Sequence, residues 1–171
     1  VYNYKTGELL CAVTSPSYDP DNIPDIAGDE TGAYDGVYLN RFFDAAYTPG
    51  SIFKLVTSAA ALEQSASAQA QTYTCAGKTI IGGQEIICMS THGTLAMPDA
   101  LAHSCNVYYG ELASALGKDA LQAACDKLGL NGTLTCDGYT ARSTVDLSDA
   151  DDGSVAWAGI GQYTDQITAI Q

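Results

Sequence analysis

The sequence predicts an α+β domain, because hairpin patterns and helical patterns occupy different parts of its 171 residues. Residues 1–13 contain a Thr-Gly turn between two short strand-like runs, and residues 78–84 predict a second hairpin. Helices are predicted over 51–64, 94–103, 107–116 and 118–128 from their content of helix-forming residues. A chain that is 46% hydrophobic and 16% charged can bury one core, so a single domain is expected.

Two later stretches complete the predicted elements. Residues 155–162 are small and glycine-rich, and residues 164–171 predict the start of another helix. In the first long helix, 51–64, apolar residues occur nearly all the way round. This pattern predicts a helix buried in the middle of the domain.

The charge balance excludes several classes of function. Seven basic and 20 acidic residues give a net charge of -13, which argues against binding nucleic acid or anionic lipid through a basic patch. No run of 18 apolar residues is present, so any membrane anchor is expected outside this chain. The acidic stretches 19–35 and 146–152 are predicted to be solvated loops. A calcium site at Asp149, Asp151 and Asp152 is an alternative, although the spacing departs from the EF-hand pattern.

The six cysteines suit an oxidising exterior better than the cytosol. Cys75 and Cys88 flank the second predicted hairpin, while Cys125 and Cys136 flank a Gly-Leu-Asn-Gly turn. Each pair could close a short loop as a disulfide. Six cysteines allow 15 full pairings, so the pairing stays open.

Zinc is the competing interpretation of the cysteines. His92 follows Cys88 and His103 precedes Cys105, which offers mixed sulfur and nitrogen ligands. Neither CxxC nor HxxxH spacing occurs, however. No metal site is therefore predicted.

Ser51 and Lys54 are the candidate catalytic pair. A serine at a helix N-terminus and a lysine three residues later lie on the same helical face and can touch. A lysine can activate a serine hydroxyl only when its pKa falls well below ~10.4, which burial among Phe53, Leu55 and the apolar helix would achieve. The alternative is a serine N-cap followed by an ordinary exposed lysine.

The surrounding residues resemble a known family. Residues 47–54 read Tyr-Thr-Pro-Gly-Ser-Ile-Phe-Lys and resemble the Pro-Gly-Ser-x-Phe-Lys segment of penicillin-binding proteins, whose superfamily shares Ser-x-x-Lys. Ser104-Cys105-Asn106 resembles the family's Ser-x-Asn motif and begins 53 residues after Ser51. Residues 5–8, 18–20 and 158–162 also match, so the resemblance spans nearly the whole chain. Within the family, it is greatest to the monofunctional, class B-like transpeptidases.

This resemblance implies a fold and a chemistry. The fold would be that of serine β-lactamases and penicillin-binding transpeptidases, represented mostly by its helical half with the N-terminal strands. Ser51 would be the acylated nucleophile and Lys54 its base. Ser104 would relay a proton, and Asn106 would hold a substrate carbonyl or Lys54 itself. Ser51, Ser104 and Asn106 would thus also bind substrate, and no metal or organic cofactor would be needed.

The resemblance also implies partners and a location. The substrates would be peptidoglycan stem peptides, β-lactams would acylate Ser51, and other cell-wall synthesis proteins are possible partners. The site would lie on the outer face of the bacterial cytoplasmic membrane, with the anchor outside this chain. A D,D-carboxypeptidase or a β-lactamase of the same fold is an alternative.

The family's third motif, Lys-Thr-Gly, raises the question of completeness. Lys5-Thr6-Gly7 has the right letters, but it precedes Ser51 and is predicted to be a turn. No Lys-Thr-Gly follows Asn106, so we expect residues 1–171 to be a partial transpeptidase domain, truncated at both ends. That strand provides an oxyanion-hole donor in the family, and losing one such donor costs ~100 to 1,000-fold in rate. A catalytically incompetent fragment or scaffold is therefore a further alternative.

Overall fold

The computed structural model describes residues 1–171 and confirms the predicted α+β class. The helices are α1 (Lys54–Gln64), α2 (Met97–Ala102), α3 (Asn106–Leu116), α4 (Lys118–Lys127) and α5 (Asp152–Gly159). The strands are β1 (Ala46–Tyr47), β2 (Thr72–Cys75), β3 (Lys78–Ile81), β4 (Gln84–Ile87), β5 (Gly93–Ala96), β6 (Thr133–Cys136), β7 (Tyr139–Arg142) and β8 (Ile167–Thr168). Short 3-10 turns cover Ile26–Gly28, Gly50–Phe53 and Ala66–Ala70.

The strands form four antiparallel ribbons of two strands each: β1 with β8, β2 with β5, β3 with β4, and β6 with β7. The predicted hairpin around 78–84 is confirmed as β3 and β4, which join through Gly82 and Gly83. Both glycines have positive φ, 54° and 80°, as a tight two-residue hairpin requires. In the sequence, β2 precedes this hairpin and β5 follows it. Because β2 pairs with β5, the chain segments before and after the hairpin lie side by side.

Helix α3 lies at the centre of the core. Its Val107, Tyr108, Tyr109 and Leu112 are all buried. The end of α5 packs closely on it, because a Cβ built on Gly159 would lie 2.2 Å from the Cβ of Ala113. Only glycine permits this approach.

Most of the predicted loops and turns are confirmed. The opening segment keeps the predicted turn, in which Lys5 is exposed, but its two predicted strands are reduced to a single bridge between Tyr2 and Leu9. The acidic segment 146–152 is largely irregular and ends where Asp151 caps α5 by accepting a hydrogen bond from the Ser154 N–H at 2.7 Å.

Two predicted helices differ from the structure. The helix predicted over 94–103 begins only at Met97, because residues 94–96 pair with β2 in the β5 strand. The small, glycine-rich residues 155–162 mostly belong to α5, where small side chains fit a crowded helix crossing. The helix predicted over 164–171 is absent: Ile167 and Thr168 form β8, where β-branched residues pair with β1.

The burial of α1 is also different from the prediction. Lys54, Thr57 and Ala61 are buried, but Leu55 and Leu62 are 60% and 44% exposed. The helix therefore buries one face rather than its whole circumference. Its inner face carries polar side chains as well as alanines, which the count of apolar residues alone did not reveal.

Candidate active site

Ser51 lies in the 3-10 turn Gly50–Phe53 that leads into α1, and it is exposed to solvent. The glycine-containing turn that follows α5 packs against this 3-10 turn. The Gly50 N–H donates to the Gly161 carbonyl oxygen at 2.9 Å, and a Cβ on Gly161 would lie 2.2 Å from the Gly50 oxygen. The two turns thus meet backbone to backbone. In the first helical turn, the Ser51 N–H has no helical acceptor and is available to an oxyanion.

Lys54 is completely buried, with 0% of its surface exposed. Its Nζ lies 3.1 Å from Ser51 Oγ and 2.8 Å from Ser104 Oγ. The same nitrogen lies 2.7 Å from the Ser104 carbonyl oxygen and 2.7 Å from Asn106 Oδ1. All four site residues named from the sequence therefore meet at one nitrogen atom.

The turn that holds Ser104 and Asn106 joins α2 to α3. Ser104 has a φ of +50°, a left-handed conformation that is uncommon outside glycine and asparagine. This conformation lets its carbonyl and its hydroxyl both face Lys54. Asn106 is oriented by its amide nitrogen, which donates to the Ile87 carbonyl at 2.9 Å and leaves Oδ1 directed at Lys54.

The hydrogen-bond partners of Lys54 suit a neutral amine, which can act as a base, better than an ammonium ion. Two of them, the Ser104 carbonyl and Asn106 Oδ1, are pure acceptors, and each takes an N–H. A neutral amine has only two N–H groups, so its lone pair then faces the two hydroxyls. Burial lowers the pKa of the Lys54 ammonium below its ordinary value, while the sulfurs of Cys88 and Cys105 oppose the change.

Sequence reasoning missed the supports beneath the lysine. The Tyr109 ring lies 5.9 Å from Lys54 Nζ, and its hydroxyl is 2.8 Å from Ser58 Oγ. Ser58 Oγ in turn donates to the Lys54 carbonyl oxygen at 2.8 Å, and Thr57 Oγ1 donates to the Gly159 carbonyl at 2.8 Å. Thr57 and Ser58 follow Lys54 by three and four residues, a spacing that places them on the same face of α1. No such spacing points to Tyr109, because it belongs to another helix, α3.

The environment of Lys54 differs from the predicted one in one respect. Phe53 is buried as expected, but Leu55 is 60% exposed. Lys5, from the misplaced Lys-Thr-Gly, stays in its exposed turn. Neither residue contacts the Lys54 amine.

The cysteines do not form the disulfides considered from the sequence, since all six are free thiols. Cys125 is buried and Cys136 half-buried on separate elements. Cys75 and Cys88 converge instead with His92 and Cys105, so that their four ligand atoms lie within 4.8 Å of one another. Asp149, Asp151 and Asp152 form no such group. The ribbons thus bring together four side chains that their spacing in the sequence does not show to be neighbours.

Comparisons with known proteins identify sequences and structures similar to this chain. The family model for the penicillin binding protein transpeptidase domain matches residues 1–171. The peptidoglycan D,D-transpeptidase PbpA of Mycolicibacterium smegmatis is 29% identical over 182 residues, which cover 97% of this chain and 37% of that protein. The chain thus spans little more than a third of this curated relative.

Solved structures of penicillin-binding proteins also superpose on most of this chain. The crystal structure of PBPA from Mycobacterium tuberculosis superposes with a TM-score of 0.80 at 27% identity, covering 95% of this chain and 41% of that one. A penicillin G acyl-enzyme complex of penicillin-binding protein A from M. tuberculosis gives a TM-score of 0.78 at 26% identity, covering 96% of this chain and 41% of that one.

Proposed function

This chain belongs to the penicillin-binding protein transpeptidase family, and from that premise we propose that Ser51 is the acylated nucleophile of a peptidoglycan D,D-transpeptidase. The observation that carries the proposal is the buried Lys54 amine, which contacts Ser51, Ser104 and Asn106 at 2.7–3.1 Å. A buried amine in contact with an exposed serine hydroxyl is the arrangement that activates a serine without histidine.

In the proposed acylation, Ser51 Oγ attacks the carbonyl carbon of the D-Ala-D-Ala peptide bond, and its proton passes to Lys54 Nζ. The C–N bond then breaks, and the departing D-Ala nitrogen takes a proton from Lys54 through the Ser104 hydroxyl, 2.8 Å from Nζ. A neighbouring stem peptide's amine attacks the resulting ester and regenerates Ser51. Asn106 keeps the amine in place throughout, because its own amide is tied to Ile87.

β-Lactams fit the same scheme as substrate mimics. Their strained amide carbonyl would be attacked by Ser51, and the opened ring would remain as an ester. A relative of this chain was solved as a penicillin G acyl-enzyme complex, which supports the proposal by similarity. Peptidoglycan stem peptides lie outside the cytoplasmic membrane, so we place the working site on its outer face. None of the chain's own helices is long and apolar enough to cross a membrane.

A fluorescent penicillin tests the proposal directly. The 171-residue chain and the complete gene product that contains it are each incubated with the reagent, and the label is measured by gel and by intact mass. We expect Ser51→Ala to abolish labelling and Lys54→Met to slow it by at least ~100-fold, as for loss of a general base. Ser17→Ala, which removes an exposed serine hydroxyl elsewhere, is the matched control and should label normally.

The outcomes separate the competing functions. A complete gene product that takes up no label at Ser51 would refute the proposal and favour a scaffold. Labelling of the gene product but not of the 171-residue chain would keep the roles of Ser51 and Lys54 while showing that they need further residues to act. Rapid turnover of nitrocefin would indicate a β-lactamase, and release of D-Ala without cross-linked product a carboxypeptidase.

A further inference from the structure

Four metal-ligating side chains meet beside the active site but take no part in the proposed acylation. Cys75 ends β2, Cys88 follows β4, His92 precedes β5 and Cys105 precedes α3. One ligand atom from each lies within 4.8 Å of all the others, and the three cysteines are buried. Three sulfurs and one imidazole nitrogen are a donor set that structural zinc sites use.

Two distances within the cluster agree with a tetrahedral metal site. With Zn–S near 2.3 Å and Zn–N near 2.0 Å, a tetrahedron separates two sulfurs by about 3.8 Å and a sulfur from a nitrogen by about 3.5 Å. Cys88 Sγ lies 3.9 Å from Cys105 Sγ and 3.4 Å from His92 Nδ1. A disulfide would need its sulfurs at ~2.05 Å, far closer than the pair observed. We propose that Cys75, Cys88, His92 and Cys105 bind a structural zinc ion.

The backbone brings these ligands together without the metal. The pairing of β2 with β5 sets Cys75 opposite Gly93, the residue that follows His92. The Cys88 N–H donates to the Gly77 carbonyl at 2.8 Å, which closes the hairpin back onto the end of β2. Two ribbons thus place three ligands at one end, where the start of α3 supplies the fourth.

One backbone hydrogen bond orients a sulfur of the cluster. The Tyr108 N–H donates to Cys105 Sγ at 3.4 Å. Such outer-shell donors orient and stabilise metal ligands.

The zinc would act on the active site through Cys105. This cysteine lies between Ser104 and Asn106, the two residues that hold Lys54. Fixing its sulfur would hold the turn in which Ser104 has its unfavourable φ of +50°. The ion would therefore position the catalytic lysine without touching substrate.

Metal content tests this inference independently of catalysis. The complete gene product, purified without added metal or chelator, is expected to carry one zinc per chain by elemental analysis. Cys75→Ser and His92→Ala should lose it, whereas Cys11→Ser, an exposed cysteine outside the cluster, should keep it. His92→Cys offers a four-sulfur site and should restore zinc, which distinguishes ligand loss from misfolding. Cobalt exchanged into the wild type should show the thiolate charge-transfer bands of a tetrahedral site.

Two results would overturn the inference. One is a wild type that carries no zinc and takes up neither zinc nor cobalt, with the cluster cysteines either reactive or joined as a disulfide in non-reducing peptide maps. The other is zinc that persists in both Cys75→Ser and His92→Ala. Ser51→Ala should keep its zinc, so failure of the proposed acylation would leave this measurement decisive.

Discussion

The replacement of Asp165 by asparagine should make the protein more stable at alkaline pH. Asp165 is fully buried, and its Oδ1 has no hydrogen-bond partner. Its only donor is the Tyr163 N–H, 3.4 Å from Oδ2. Burial raises the pKa of this carboxyl from 3.8 to about 7, because one distant N–H cannot replace the hydration that the carboxylate loses. Its buried neighbour Cys125 stays neutral, since burial, with Asp165 adding to it, raises the pKa of that thiol to about 12.

The sign and size of the effect follow from proton linkage. Below pH 3.8 both the folded and the unfolded chain hold the proton, so Asp165 costs nothing. Between pH 3.8 and about 7 only the folded chain keeps it, and the free energy of unfolding falls by ~1.4 kcal/mol per pH unit. Above pH 7 the full cost, roughly 4 kcal/mol, is present. Asparagine is neutral throughout and can keep the hydrogen bond from Tyr163.

Urea unfolding at pH 5, 6, 7 and 8 provides the assay. Asp165→Asn should already unfold at a higher urea concentration than the wild type at pH 5, where about 1.6 kcal/mol of the cost is present, and the difference should widen up to pH 7 and level off by pH 8. Asp149→Asn removes an exposed carboxylate from the same region and should follow the wild type at every pH. If the Asp165→Asn and wild-type curves stay parallel from pH 5 to 8, the carboxyl is not held neutral by burial and the reasoning is refuted.

Two further substitutions test the packing. Gly161→Ala would put a Cβ 2.2 Å from the Gly50 carbonyl oxygen at a φ of +77°, so we expect a loss of about 3 kcal/mol or more in urea unfolding together with slower acylation. Gly129→Ala has the same φ with nothing within 4 Å, and an equal loss there would show that the contact is unimportant. Lys127→Met breaks an exposed ion pair with Glu63 and should change the free energy of unfolding by less than about 1 kcal/mol; a larger change would mean that this pair is not screened by solvent.

The sequence predicts the candidate active site better than the fold around it. Ser51 and Lys54 are three residues apart on one helical turn, so their contact is local and readable. Ser104 and Asn106 were identified by resemblance alone, because their contacts with Lys54 span about 50 residues. The support from Tyr109 has no local pattern either, since a ring and a lysine on different helices meet only after packing.

The errors have a common physical origin. Residues 164–171 look helical in isolation, but Ile167 and Thr168 gain strand pairing with residues 46–47, which lie about 120 positions earlier. The four side chains of the proposed zinc site are brought together in the same way. Cys75 and Cys88 are 13 residues apart, as are His92 and Cys105, and only the pairing of β2 with β5 turns these separations into proximity. In each case, the pairing of segments that are distant in the sequence outweighed the local pattern.

The contact between Gly50 and Gly161 has a consequence for folding kinetics. The two residues are 111 positions apart, so their hydrogen bond forms only after most of the chain has been brought together. Contacts of such sequence separation are slow to form. A chain whose helices are complete but whose glycine turns have not yet met would show native circular dichroism and still lack a competent nucleophile. The rate at which acylation activity appears during refolding would therefore report the last step of assembly rather than the first.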